Sequence, residues 1–147
     1  MTGGQVSPTT SIDRLTTTTP HGNAEPTFDA CKLAEAAGAS FVGREITRQA
    51  PALKNLIKAA FVHEGFSFIE AISDCTEIYG RKNDLGESPE MILSQKSDMR
   101  PEAYGDVADQ PFRPNRLPTG ILVERDRPEY GRVYRQRAAI ERDRERR

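Results

Sequence analysis

The sequence predicts an α/β fold with a mostly parallel sheet and flanking helices, and two observations support this. Residues 51–65 place apolar side chains at helical spacing, with Pro51 in the first turn and Gly65 past the end. This helix lies between two short apolar runs, residues 39–42 and 66–73, which are predicted strands. A strand, a helix and a strand with short connections form a βαβ unit, whose strands are parallel and close neighbours. The apolar positions of the helix are Leu53, Leu56, Ile57, Ala60 and Phe61.

The segment before this unit is expected to divide into a loop and a helix. Residues 1–27 show neither a helical nor a strand period and contain a run of threonines at 16–19 among glycines and prolines. A loop of this length is uncommon in a compact domain and predicts a functional or disordered segment. Residues 28–39 are rich in alanine and carry Gly38 near their end, which favours a helix of about ten residues.

Fewer elements are predicted after the second strand. Residues 88–93 begin with Ser-Pro-Glu and predict a short helix. Residues 95–118 are polar and contain four prolines, so no element is predicted there. Residues 120–124 predict a last strand, and the arginine-rich end of the chain predicts a helix that frays. We therefore divide the chain into a loop segment (1–27), an α/β domain (28–124) and a C-terminal tail (125–147).

The composition indicates a small hydrophobic core. Only 36% of the 147 residues are hydrophobic, 29% are charged, tryptophan is absent, and the mean hydropathy is −0.65. We therefore expect a partner to complete the core. No secretory signal is recognised, no apolar run approaches the roughly 20 residues of a membrane span, and two cysteines without a disulfide pattern favour a cytoplasmic protein.

The charge distribution argues against nucleic acid and membrane surfaces as partners. The formal net charge is −1, which gives no general attraction to polyanions. The tail from residue 125 to 147 carries nine arginines, but five acidic residues are interspersed and no aromatic platform accompanies them. Nucleic-acid binding is therefore the least favoured of the functions considered.

Cys75 is the residue whose position points most directly to chemistry. It follows the predicted strand 66–73, and open α/β sheets bind ligands at the carboxyl ends of their strands. A thiolate there could hold a soft metal or one iron of an iron–sulfur cluster, although the chain has two cysteines and a cluster typically needs about four thiolates. A buried or partly buried free thiol is the alternative. Cys31, on the apolar side of the first helix, is assigned to core packing.

The other candidate residues carry weaker signals. His63 falls in the last turn of its helix, where the helix dipole accounts for it, and His21 is expected in a solvated turn. Gly3 and Gly4 could offer consecutive backbone N–H groups as an anion-binding nest, although paired glycines are also common at disordered ends. The sequence shows no nucleophilic triad, phosphate loop or dinucleotide fingerprint.

Several stretches, in this order and spacing, resemble one enzyme family. They read MTGGQVSPTT (1–10), TTTTPHGNAEPTFDACKLAEAAGASFV (16–42), GFSFIEAISDCTEIYGRKN (65–83) and GILVERDRPEY (120–130). Together they resemble the β subunit of 2-oxoacid:ferredoxin oxidoreductases, most closely the 2-oxoglutarate type. The resemblance is densest over residues 2–83 and poor over 84–118. It implies a partial thiamine-diphosphate-binding fold.

The resemblance also implies an activity and its cofactors. The family oxidatively decarboxylates 2-oxoacids to acyl-coenzyme A with thiamine diphosphate, Mg²⁺ and a [4Fe–4S] cluster, and it passes the electrons to ferredoxin. In the family, one loop contacts thiamine diphosphate, and the last residues of that loop match Thr2, Gly3, Gly4 and Gln5. The last cysteine ligand of the cluster matches Cys75. Two positions depart from the family, since proline often stands where this chain has Thr76 and tyrosine where it has His21. No catalytic side chain is assigned.

The same resemblance implies that essential parts lie on other polypeptide. The family's Gly-Asp-Gly motif and asparagine, which bind Mg²⁺, and three cluster cysteines have no counterpart here. We therefore expect this chain to be the C-terminal half of a larger subunit. Its first residue, Met1, would then correspond to an internal methionine of that subunit. Its expected partners are the missing N-terminal half, the α subunit and ferredoxin. The alternative is a catalytically incompetent remnant or an assembly piece that docks through its half-sheet. The identity of the 2-oxoacid is left open.

Overall fold

A computed structural model describes residues 3–100 and 117–146 of the chain. Thr2 and most of the polar stretch 95–118 therefore lie outside the described residues. The helices are α1 (Ala30–Ala36), α2 (Ala50–Val62), α3 (Ser88–Asp98) and α4 (Tyr130–Glu145), with a π-helical turn at Thr76–Gly80. The strands are β1 (Phe41–Ile46), β2 (Ser67–Ile72), β3 (Met99–Arg100), β4 (Leu117–Pro118) and β5 (Gly120–Glu124).

The main sheet has three strands in the order β2-β1-β5. Strands β1 and β2 run parallel, with Phe41 opposite Ser67 and Ile46 opposite Ile72, and α2 connects them. The predicted α/β class and its βαβ unit are thus confirmed. The sheet itself is mixed, because β5 runs antiparallel to β1. An antiparallel strand at the edge of a parallel sheet is common, and the residues 120–124 that predict a strand carry no signal for its direction.

Strand β1 is the centre of the fold and is buried at all six positions. It extends to Ile46, four residues beyond the predicted end at Val42, because the charged side chain of Arg44 finds partners inside the protein. Gly43 allows α2 to pack closely, since a Cβ atom there would lie 2.6 Å from Leu56 Cδ1. The core beside β1 is formed by Cys31, Ala39, Val42, Leu122 and Val123.

The apolar stripe predicted for α2 is only partly buried. Leu56 is buried, whereas Ile57 is exposed and Phe61 is 86% exposed. A sheet of three strands covers part of this helix, so its last turn keeps apolar surface in contact with solvent. Val62 and Phe66 are also exposed there. This agrees with the small core that the composition indicates.

The remaining helices differ from their predictions mainly in length. Helix α1 is capped by Asp29, whose carboxylate accepts from two backbone N–H groups, and the chain leaves it through Gly38 at φ 89°. Helix α3 runs to Asp98, beyond the predicted end at residue 93. Helix α4 forms as predicted and has no buried residue. None of the helices within residues 3–100 and 117–146 is long and apolar enough to cross a bilayer.

Candidate functional site

Cys75 lies just past the carboxyl end of β2, where the sequence placed it. It precedes the π-helical turn, and its thiol is free and exposed. The burial expected for a free thiol is therefore not found at Cys75 in this chain. The thiol lines a cleft of about 400 Å³. The walls of the cleft include Ser73, Asp74 and Tyr79 from the β2 side and Thr9, Ser11 and Arg14 from the N-terminal segment.

The turn that carries Cys75 closes tightly on itself. The Gly80 N–H donates to the Cys75 carbonyl at 2.8 Å. Gly80 is buried, and a Cβ atom there would lie 2.6 Å from Met91 Sδ and 3.0 Å from the Cys75 carbonyl oxygen. A side chain at this position would crowd both the Cys75 carbonyl and Met91, so the turn packs closely against α3.

The N-terminal segment is irregular but tied down by hydrogen bonds. Asn23 is buried, and its Nδ2 donates to the Thr10 carbonyl at 2.9 Å. The Phe28 N–H donates to the Pro8 carbonyl at 2.8 Å. Asn83, after the π-helical turn, exchanges two hydrogen bonds with the backbone of Leu15. The segment therefore folds as an ordered cover over the end of β2.

The prediction that Gly3 and Gly4 offer two consecutive free backbone N–H groups to an anion is wrong. Gly4 adopts φ 76°, as the paired glycines suggest, but its N–H donates to the Thr18 carbonyl at 2.6 Å. The Gln5 carbonyl in turn accepts from the hydroxyls of Thr18 and Thr19. The Gly4 N–H and the Gln5 carbonyl are thus already hydrogen-bonded to the threonine run. The outer side of Gly3 and Gly4 stays open, since a Cβ atom on either would meet nothing within 4 Å.

The structure does not bring every candidate residue into one hollow. Gly4 and Gln5 line a second hollow of about 390 Å³ with Thr19 and residues 22–25, separate from the lining of the Cys75 cleft. His21 is exposed and lines neither of these two hollows. His63 stands at the C-cap of α2, where its Nε2 lies 3.0 Å from Ser40 Oγ. This contact joins the end of α2 to the residue that precedes β1.

A buried charge cluster that sequence reasoning missed lies under α1. Arg44 is 1% exposed, and its Nη2 lies 2.5 Å from Asp29 Oδ1 while its Nε lies 2.5 Å from Glu70 Oε2. Asp29, Cys31 and Glu70 bring their ligand atoms within 4.8 Å of one another. The Arg44 guanidinium forms an ion pair with both carboxylates, so this cluster is an ion-pair network that already contains its own cation. The adjacent charged residues Arg44 and Glu45, between the apolar Val42 and Ile46, were the available sequence signal.

Cys31 is a core residue, as predicted. It is fully buried, and its Sγ lies 3.5 Å from Glu70 Oε2 and 3.9 Å from the Gly43 carbonyl. Burial raises the pKa of the thiol to about 12, the nearby carboxylates raise it too, and Arg44 opposes them. The group therefore stays a protonated thiol at neutral pH. Its burial also keeps it away from any ligand at the protein surface.

The two cysteines are expected to react very differently with a thiol reagent. In the native protein at pH 8, one thiol per chain should react rapidly with an aromatic disulfide reagent, because Cys75 is exposed and the thiolate is the reactive form. The second thiol should react only after denaturation, because Cys31 is buried and its pKa is about 12. Cys75→Ser, the matched control, should remove the fast reaction. Two fast thiols in the native wild-type chain would contradict this assignment.

Comparison with known families supports the resemblance noted in the sequence. The sequence profile of the family described as "Thiamine pyrophosphate enzyme, C-terminal TPP binding domain" matches residues 1–71. This range includes the N-terminal segment, α1, β1 and α2 and ends within β2. The partial thiamine-diphosphate-binding fold expected from the resemblance is thereby confirmed.

Individual relatives extend the match over most of the chain. The 2-oxoglutarate synthase subunit KorB of Methanocaldococcus jannaschii is 36% identical over 131 residues, 88% of this chain and 48% of the relative. Its namesake in Methanothermobacter marburgensis is 38% identical over 135 residues, covering 91% and 47%. The 2-oxoglutarate:ferredoxin oxidoreductase from Magnetococcus marinus, solved with 2-oxoglutarate, coenzyme A and succinyl-CoA, shares the fold. Its TM-score is 0.72 at 23% identity, covering 94% of this chain and 48% of that one. The chain thus spans about half the length of the curated relatives it matches.

Proposed function

The chain matches the C-terminal part of the β subunits of 2-oxoglutarate-type 2-oxoacid:ferredoxin oxidoreductases, and we propose that it serves as that part of such an enzyme. The reaction is the oxidative decarboxylation of a 2-oxoacid, 2-oxoglutarate in the first instance, to an acyl-coenzyme A, with the electrons passed to ferredoxin. The observation that carries this proposal is the match to KorB subunits over 88–91% of the chain.

Thiamine diphosphate is the cofactor that the N-terminal segment would contact. When bound, it supplies the electron sink for decarboxylation, while the protein orients it. The residues that we assign to this contact are Thr2, Gly3, Gly4 and Gln5. Gly3 and Gly4 have open space on their outer side, which suits close approach of a ligand to the backbone. Residues 2–5 contain no carboxylate, and Mg²⁺ requires oxygen ligands. The Mg²⁺ ligands are therefore assigned to the N-terminal half of the subunit.

Cys75 is the residue that we assign to a [4Fe–4S] cluster. Its thiol is free, exposed and set on a cleft, and thiolate is the ligand that such clusters use. Cys31 is buried and protonated, so this chain contributes one of the about four thiolates required. The other three would come from the N-terminal half. The chain holds neither cofactor by itself.

Exposed apolar surface and two outer strands indicate where partner subunits would dock on this chain. Apolar side chains stand in solvent at the end of α2, and β2 and β5 are the outer strands of the described sheet. Outer strands and exposed apolar surface favour docking against another polypeptide. We assign this role to the N-terminal half of the β subunit and to the α subunit, with ferredoxin as the electron acceptor. A non-enzymatic assembly piece is the second candidate, because the same surfaces would support docking without catalysis.

Reconstitution tests the proposal. The chain is co-expressed under anaerobic conditions with the N-terminal half of a KorB-type β subunit and an α subunit. We expect ferredoxin reduction that requires both 2-oxoglutarate and coenzyme A, and none when this chain is omitted. If a stable complex forms but fails to reduce ferredoxin with every 2-oxoacid that is tested, the enzyme assignment is rejected and the assembly piece is favoured.

A further inference from the structure

Asn83 joins the N-terminal segment to the turn that follows β2. Its Oδ1 accepts from the Leu15 N–H at 2.8 Å, and its Nδ2 donates to the Leu15 carbonyl at 2.9 Å. The same Nδ2 donates to the Tyr79 carbonyl at 2.8 Å. One side chain thus closes a two-bond pair with a residue 68 positions away and also holds its own turn.

Both ends of this link lead to residues assigned to a cofactor. On one side, Leu15 directly precedes the threonine run. Within this run, Thr18 accepts a hydrogen bond from the Gly4 N–H and donates one to the Gln5 carbonyl. On the other side, Tyr79 belongs to the π-helical turn that begins after Cys75, and the next residue, Gly80, donates to the Cys75 carbonyl at 2.8 Å. These hydrogen bonds, together with the short chain segments 15–18 and 79–80, connect the N-terminal segment to the proposed cluster ligand.

We propose that Asn83 is a positioning residue that couples the N-terminal segment to the Cys75 turn and so fixes the two cofactor contacts relative to each other. This inference rests on the proposed function. A primary amide suits the task because it offers one acceptor and two donors from a single planar group. An aspartate has no donor for the carbonyls of Leu15 and Tyr79, and an alanine has neither donor nor acceptor.

The coupling also builds one wall of the Cys75 cleft. Thr9, Ser11 and Arg14 belong to the held segment and line the cleft together with Cys75. Releasing the segment would change the charge and the solvent exposure beside the thiolate. Both properties set the reduction potential of an iron–sulfur cluster. A change in potential at constant iron content therefore reports on this coupling and not on folding alone.

Hydrogen exchange on the complete chain tests the link without any cofactor. In Asn83→Ala and Asn83→Asp we expect the amides of residues 14–19 to exchange at least roughly tenfold faster, because up to three hydrogen bonds are lost. The amides of β1 should keep their wild-type rates. Asn55→Ala, at an exposed position of α2, is the matched control and should change neither region. Unchanged exchange at residues 14–19 in both Asn83 variants, or an equal acceleration in β1, would overturn the inference.

The second measurement uses the β subunit assembled with its N-terminal half. Both Asn83 variants should bind iron in the wild-type amount and shift the reduction potential of the cluster, whereas Asn55→Ala should not. An unchanged potential at unchanged iron content would overturn the coupling. Absence of iron from the wild-type assembly would overturn the cluster assignment of the proposed function, and the exchange experiment would still decide whether Asn83 holds the two segments together.

Discussion

Cys75→Ser should remove most of the iron from the β subunit assembled with its N-terminal half. The charge-transfer absorption of the cluster should disappear with the iron. A serine hydroxyl is a poor ligand for iron in a thiolate-bound cluster, and Cys31 cannot replace the lost ligand because it is buried and protonated. Iron analysis and absorption spectra of the anaerobically purified protein measure the effect.

Cys31→Ala is the matched control for this experiment. It removes the other cysteine of the chain but leaves the exposed thiol at the cleft, so the iron content should stay at the wild-type level. Wild-type iron in Cys75→Ser would reject the assignment of Cys75 as a ligand. Loss of iron in both variants alike would show that the effect arises from instability and not from coordination.

Arg44→Met should lower the free energy of unfolding by about 3–5 kcal/mol, because it breaks a buried ion-pair network by removing one partner. Arg44 is 1% exposed, and Asp29 and Glu70, 11% and 19% exposed, would be left without their counter-charge. Methionine keeps much of the side-chain volume, so the loss of charge dominates over the cavity. Denaturant unfolding of the complete chain, followed by circular dichroism, measures the change.

Two further variants make this prediction specific. Arg81→Met removes the arginine of an exposed pair with Glu77, and its effect should stay within about 1 kcal/mol. Arg44→Met combined with Asp29→Asn and Glu70→Gln removes the uncompensated charges and should recover part of the lost stability. An equal cost for Arg44→Met and Arg81→Met would show that burial of the network does not matter.

The elements that the sequence predicted well are those whose own residues decide their conformation. Helix α2 begins beside Pro51 and ends before Gly65, as its local signals indicate. Strand β2 and strand β5 fall where short apolar runs stand between turn residues. Cys75 follows β2 in the chain, so its place at the strand's carboxyl end required only the identification of the strand.

The elements that the sequence did not predict depend on distant partners. Strand β1 continues through Arg44 because Asp29 and Glu70 meet it from two other elements. The Gly4 N–H is taken by the Thr18 carbonyl, which excludes the nest that two adjacent glycines suggest. Asn83 carries no sequence signal for its role, since its partner Leu15 is 68 residues away.

The sequence by itself determined the α/β class, the βαβ unit, the resemblance to a thiamine-diphosphate-binding β subunit and the position of Cys75 after a strand. Local conformational preference and hydrophobic periodicity determine these features, and both depend only on residues that are close together in the sequence. Only the tertiary structure decided which polar groups are satisfied within the protein, namely the buried Arg44, the Gly4 N–H and the Asn83 amide. A hydrogen bond or ion pair depends on the distance between groups that the fold alone brings together.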